Sequence, residues 1–324
     1  MCAVKTSLID IDTETLKKIM GEIRKQIPVG FNKHQKEQDN TLMPQIEEEI
    51  FMNEILPICS REYKNALISL GTLGGGNHFI EIQKSSDGHI WIMIHSGSRN
   101  LGKQVADYYN KLAIQLNEKW HSSVPKEWQL AFLPIDSEEG QAYLREMNYC
   151  VEFALANRKL MMDRIEEIFD RICNIGNVGD MSNIYFGEII NIAHNYASLE
   201  SHFGQNVLVH RKGATLARQG TIGIIPGSQG THSYIVKGLG NKESFESCSH
   251  GAGRKMGRKD AQRNLNLEEE IKKLDEQGIL HSIRGVNDLD EASGAYKPIE
   301  EVMENQKDLV EILVELTPLG VIKG

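Results

Sequence analysis

The chain has 324 residues, 40% hydrophobic and 25% charged, with a formal net charge of −9. Its length allows one large domain or two small ones and an ample core, while its acidity excludes nucleic-acid binding by bulk electrostatics, so a polyanion partner needs a local basic patch. No apolar run is long enough to cross a bilayer, no secretory signal opens the chain, and five cysteines without paired spacing point to reduced thiols and a cytoplasmic setting.

No low-complexity linker or fixed-period repeat divides the chain, which reads as a single domain over 1–324. "MCAVKTSLID" opens as a strand, and Asp12 or Thr13 then caps a helix over "ETLKKIMGEIRKQI". A second helix is expected over 44–56. "NHFIEIQ" (77–83) and "HIWIMIHSG" (89–97) form a hairpin through the turn at 86–88. Residues 101–120 read as a helix, and Asp136 with Glu139 as a capping box opens a long helix to about Arg171. A helix or helical turn is expected over 186–196. "NVLVHRKGA", "GTIGIIPGS" and "HSYIVKGLG" are strand candidates, and the last quarter reads as helical, most clearly over 300–316. Strands and helices mix without strict βαβ alternation, so the expected class is α+β.

Histidines carry the chemical signal. His78 opens one strand of the hairpin and His95 closes the other, so the two imidazoles meet at matched strand ends. His194 stands in "IAHNYAS". Neutral imidazole is a common ligand for divalent metals. The glycine run at 71–76 lets backbone approach closely. "IIPGSQGTHS" (224–233), "HSGSR" (95–99) and "HRKGAT" (210–215) have the character of anion-binding turns, with Arg99, Arg211 and Lys212 as candidate phosphate contacts. None is a Walker motif.

"ESCSHGAGRKMGRKDAQR" crowds small residues around His250 and follows them with Arg254, Lys255, Arg258, Lys259 and Arg263. Gly251 and Gly253 leave room for a bulky group at the ring. A helix starting just beyond them would turn its positive end toward an anion. A histidine presented to a phosphate in this way acts as a general acid or base, or as a covalent nucleophile. A surface helix cap with a solvated basic face is the plain alternative.

"GTLGGGNHFIEIQ", "WIMIHSGSRNLG", "HNY", "IIPGSQG", "ESCSHGAGR" and the terminal "PLGVIKG" together resemble the RtcB-type RNA ligases, over essentially the whole chain. The resemblance implies an RtcB-like α+β domain that uses GTP and two manganese ions. It implies that His250 is guanylylated, that the guanylate passes to an RNA 3′-phosphate, and that a 5′-hydroxyl then attacks and releases GMP. A 2′,3′-cyclic phosphate would first be opened. The implied metal ligands are His78, His95 and His194. The implied nucleotide contacts are Asn77, His78, Phe79, Ile80, Glu81, His194, Asn195, Pro226, Gly227, Ser228, Gln229, Ser233, Gly251, Ala252, Gly253, Tyr296 and Lys323. RNA bearing such ends is the implied partner, tRNA splicing or RNA repair the setting, and an archease-like activator a further candidate partner.

The resemblance also exposes a departure. In the family an Asp-x-Gly-Cys-Gly motif, whose aspartate and cysteine bind metal, lies just upstream of a segment like "MCAVKTSL". This chain begins at Met1, where that motif ends, through a late start, a fragment or a shortened paralogue. Cys2 lies in the following strand, where alternation points it elsewhere. The polypeptide as written is therefore expected to be impaired as a ligase, and a longer form active. Rival readings are a metal-dependent phosphoesterase acting on RNA ends and a non-catalytic RNA-end binder.

Overall fold

The structure, a computed structural model, describes residues 1–45, 56–174 and 184–324. Most of the helix expected over 44–56 lies outside the described residues. The strands, in chain order, are β1 (Cys2–Lys5), β2 (Phe79–Ser85), β3 (Ile90–His95), β4 (Ile190–Asn191), β5 (Asn195–His202), β6 (Gln205–Lys212), β7 (Ala214–Leu216), β8 (Ile222–Ile225), β9 (Ser233–Gly238), β10 (Ser247–Ser249) and β11 (Val310–Lys323). The helices are α1 (Thr13–Gln26), α2 (Pro57–Leu67), α3 (Leu101–Lys119), α4 (Glu138–Asn174), α5 (Arg258–Asn264), α6 (Leu267–Glu276) and α7 (Ile299–Glu304). No helix among the described residues is long and apolar enough to cross a membrane.

An antiparallel sheet in the order β4-β1-β3-β2-β11-β9-β8 organises the fold, which is α+β as expected. Period-two alternation gives its two faces different tasks. Val4, Ile80, Ile82, Ile92 and Ile94 pack against Leu16, Ile19 and Ile23 of α1 and Met161, Met162 and Ile165 of α4. Phe79, Trp91, Met93, Ile235 and Val321 face the opposite way, onto Leu274, Ile279 and Ile283. Asp12 is the cap of α1, accepting the amides of Glu14 (3.0 Å) and Thr15 (2.9 Å). At the start of α4 the capping contact comes from Ser137 rather than Asp136: its Oγ accepts the Gly140 amide at 3.0 Å.

Two expected helices are strands. Residues 186–196 pair instead: Phe186 bridges Thr6, β4 lies along β1, and Asn195 starts β5. The free edge of β1 supplies partners that outweigh local helix propensity. The second case is 300–316, where α7 lasts six residues and the chain then runs into β11 between β2 and β9. Its Glu and Leu content reads as helical, but its Val and Ile residues fill a central strand. Pro318 is tolerated because the ladder with β2 shifts register between Pro318 and Gly320, at a bulge that does not need its amide.

A histidine cluster between two cavities: the candidate functional site

The hairpin register puts Phe79 opposite His95, so His78 and His95 meet at one end of the sheet as expected, with ring centroids 5.7 Å apart. His194 follows β4, whose chain is pinned to the first strand by the Ile192 amide on the Met1 carbonyl at 2.8 Å. Its ring lies 5.1 Å from that of His95 and stacks on His250 at 5.2 Å, with 18° between planes. Four imidazoles from four separated segments thus form a continuous row.

Their protonation is legible from geometry. His78 Nδ1 lies 2.8 Å from the Leu73 carbonyl and His250 Nδ1 lies 2.7 Å from the Gly213 carbonyl. A carbonyl only accepts, so both Nδ1 atoms carry the proton and both Nε2 atoms keep a lone pair. His194 Nδ1 is a buried polar atom with no hydrogen-bond partner among the described residues. Burial pushes all four pKa values down; His78 falls to about 4, with Arg99 adding to the effect.

Arg158 of α4 holds this row in place. Its guanidinium is buried, and it donates to Asn191 Oδ1 (2.8 Å), Ser96 O (2.9 Å) and Ile192 O (3.2 Å). It therefore ties the residue after His95 to the segment before His194. No carboxylate among the described residues pairs with it, and burial lowers its pKa to about 10. The sequence carried one sign of it: an arginine spaced like a core position with Met161, Met162 and Ile165 on the same helix.

A cavity of about 290 Å³ lies on one side of the row, at the small end of the range for ligand sites. Asn77, Phe79, Glu81, His95, Pro226, Gly227, Ser228, Gln229, His250, Gly251, Ala252, Gly253, Tyr296 and Lys323 line it together with Arg254, Arg258 and Glu291. Most of the expected nucleotide contacts therefore converge. Ile80 does not, because alternation turns it into the core cluster of α1 and α4. Ser233 stands behind the wall, where its Oγ accepts the Gly227 amide at 3.2 Å. His194 and Asn195 line a second cavity of about 620 Å³, with Ser98, Lys103, Arg158, His210 and Lys212.

Glu291 gave no sign in the sequence, sitting in an acidic stretch that reads as solvated surface. It is 4% exposed on its side chain and collects Arg254 and Arg258 (each 3.1 Å), the Tyr296 hydroxyl and, at 3.9 Å, Lys323. Across the cavity, Glu81 is fully enclosed and burial raises its pKa to about 8, while burial lowers that of Lys323. Gln229 donates to the Glu291 carbonyl at 2.8 Å and leaves a buried Oε1 unpaired.

Several expected phosphate contacts are otherwise engaged. Arg99 donates to Thr72 Oγ1 (2.8 Å) and Gly30 O (3.0 Å), and Arg211 is buried in an ion pair with Glu200. In the 226–230 turn the amides of Gly227, Ser228 and Gly230 are already satisfied by Ser233, Thr231 and Ser293 hydroxyls. The helix after His250 begins only at Arg258 and spans seven residues. Two of the glycines also pack closely between loops, while a Cβ on Gly253 would meet no atom of the described residues within 4 Å. A Cβ on Gly251 would lie 3.1 Å from the Pro226 carbonyl, and one on Gly227 would lie 2.1 Å from the His232 carbonyl. Gly227→Ala is expected to destabilise the fold by about 1–3 kcal/mol and to weaken nucleotide binding, read by denaturant midpoint and GTP titration; an unshifted midpoint would refute this packing role.

The residues fit a divalent cation at His78, His95 and His194: neutral rings, free lone pairs and an orphaned buried nitrogen are what a metal ligand set supplies. Cys2 is not part of it. Its thiol lies in the core between sheet and helices, and burial raises its pKa to about 11. A separate group, Glu200, His202 and Glu246, brings three ligand atoms within 4.8 Å. Glu200 is occupied there by Arg211 and Arg218, and Glu246 by Arg218, so cations of the chain already fill that position.

The row of neutral imidazoles places two of its rings, His95 and His250, on the wall of the cavity of about 290 Å³, and His194 on the wall of the other. A family model described as tRNA-splicing ligase RtcB matches residues 1–324. The chain is 40% identical over 255 residues to the RNA-splicing ligase RtcB of Escherichia coli (strain K12), covering 79% of this chain and 61% of that protein. It is 32% identical over 384 aligned positions to the tRNA-splicing ligase RtcB of Methanococcus maripaludis, covering 99% and 79%. The chain belongs to the RtcB family, and it spans about three fifths of the length of the bacterial relative.

Proposed function

We propose that this chain carries the catalytic centre of a GTP-dependent RNA ligase that joins 3′-phosphate or 2′,3′-cyclic phosphate ends to 5′-hydroxyl ends. The observation that carries the reading is the state of His250: its Nδ1–H is spent on Gly213, and its ring lines the cavity with a lone pair left on Nε2. That is the form in which imidazole attacks phosphorus.

The cavity wall favours guanine as the base. The buried, unpaired Gln229 Oε1 is an acceptor, and guanine presents an N1–H and an amino group where adenine's N1 is an acceptor. Lys323 and Arg258 supply positive charge at the same cavity. With GTP bound, His250 Nε2 attacks the α-phosphorus. The Nε2–P bond forms as the bond to pyrophosphate breaks, and the Gly213 carbonyl steadies the charge that develops on the ring. An oxygen of the RNA 3′-phosphate then displaces the imidazole, and the 5′-hydroxyl displaces GMP. Manganese at His78, His95 and His194 would neutralise charge on the reacting phosphates. The second cavity, with Lys103, Arg158, His210 and Lys212 in its walls, suits the RNA ends and provides the local basic surface that a chain of net charge −9 needs for RNA.

The test is end joining with defined termini. With GTP and manganese, fragments ending in 3′-phosphate and 5′-hydroxyl should be joined, and fragments ending in 3′-hydroxyl and 5′-phosphate should not. Release of phosphate without joining would place the chain among phosphoesterases instead.

A further inference from the structure

The buried ion network beside the row of histidines is not used by the reaction as written, yet it touches three of the segments that build the row. We propose that Arg211 is a positioning residue, which holds the strand leading to His250 in register with Gly213 so that His250 Nδ1 stays on the Gly213 carbonyl and Nε2 faces the nucleotide. The inference rests on reading His250 as the nucleotide acceptor.

Arg211 is 2% exposed and its fork is fully used. Both its terminal nitrogens donate to Glu200, Nη2 to Oε2 at 3.0 Å. Nη2 also donates to the Phe245 carbonyl at 3.0 Å, and Nε donates to Ser247 Oγ at 3.0 Å. The guanidinium lies 5.7 Å from the centroid of the Tyr196 ring, its cross-strand partner. Tyr196 stands two residues after His194, Arg211 two before Gly213, and Ser247 three before His250. One side chain therefore joins the segments that bear the stacked ring, the carbonyl acceptor and the nucleophile.

The chain entering β10 needs such a hold. Phe245 and Glu246 are consecutive non-glycine residues at φ +53° and +50°, a conformation that persists only where the surroundings enforce it. Arg211 holds the first by its carbonyl, and Arg218 holds the second by its carboxylate at 3.0 Å. Beyond them β10 pairs with β7, Ser249 opposite Ala214, which sets His250 against Gly213. A buried ion pair is weak evidence for stability in itself. A planar fork that reaches two acceptors on one segment and a carboxylate on another gives orientation, which a lysine ammonium does not reproduce.

Arg211→Lys in the full chain, with histidines labelled by ¹⁵N, tests the proposal. In the unsubstituted protein, His250 should show one neutral tautomer with its proton on Nδ1. In Arg211→Lys it should show mixed tautomers, and transfer from GTP to the protein should slow by about 10- to 100-fold with the dissociation constant for GTP unchanged. Ser247→Ala, which spares the ion pair, should move the tautomer the same way to a lesser degree if Arg211→Lys fails to fold. An unaltered His250 tautomer in the folded variant would overturn the proposal, as would equal losses of GTP binding, transfer rate and thermal stability. If the unsubstituted protein takes no label, the ligase reading fails, and the tautomer comparison still decides whether Arg211 positions the ring.

Discussion

His250→Gln is expected to abolish transfer of guanylate to the protein while leaving GTP binding in place. Glutamine retains N–H donors for hydrogen bonding, but its amide nitrogen lone pair is delocalised and is not the nucleophile that the imidazole nitrogen is. Deleting a covalent nucleophile costs on the order of 10⁶-fold in rate, so label from α-phosphate-labelled GTP should fall below detection. The cavity wall is otherwise intact in this variant, because Phe79, Glu81, Gln229, Glu291, Tyr296 and Lys323 are contributed by other segments. Labelling and GTP titration on the same preparation separate the two effects. Label persisting in His250→Gln would move the acceptor to another residue, with the stacked His194 or Lys323 the nearest candidates by position.

The second large effect concerns the metal. His194→Ala removes one of the two inner rings of the row, the one with a buried unpartnered nitrogen. Losing a group that merely orients a metal ligand costs about 10- to 100-fold in affinity, so loss of a ligand itself should exceed about 100-fold. Cobalt is a suitable probe, since it suits imidazole ligands, binds more tightly than manganese and reports through its visible absorption. The bands seen with the unsubstituted chain should be lost in His194→Ala and retained in His89→Ala, at the far turn of the same hairpin. Retention in His194→Ala together with loss in Glu246→Ala would relocate the metal to the Glu200, His202 and Glu246 group.

The hairpin was legible in the sequence because two physical signals agree there, alternation and a Ser-Asp-Gly turn. Once its register was fixed, the meeting of His78 and His95 followed, and so did the sides taken by Phe79, Ile80 and Glu81, of which only Ile80 faces away from the cavity. β4 and β11 were not legible, because each takes its conformation from partners far away in the chain, β4 from β1 and β11 from β2 and β9. Functional side chains divide in the same way. Gly251 and Gly253 read as room beside the His250 ring and the 224–233 turn as an anion nest, whereas Gly251 and Gly227 pack on neighbouring carbonyls, a Cβ on Gly253 would meet no atom of the described residues within 4 Å, and the amides of Gly227, Ser228 and Gly230 and the guanidinium of Arg99 are engaged within the protein. Glu291 was hidden because its role depends on three cations, Arg254, Arg258 and Lys323, which lie outside "NDLDEASGAY"; only Tyr296 of its partners is in that stretch.

The most direct measurement is to find which nitrogen carries the guanylate. Protein labelled with ¹⁵N on histidine would be incubated with GTP and manganese without RNA, and the adduct examined for phosphorus–nitrogen coupling and mapped by peptide. The expected result is a single acid-labile, alkali-stable adduct on Nε2 of His250, with Nδ1 still protonated toward Gly213. An adduct on Nδ1, or an acid-stable one on a lysine such as Lys323, would contradict the assignment of His250 Nε2 as the nucleophile.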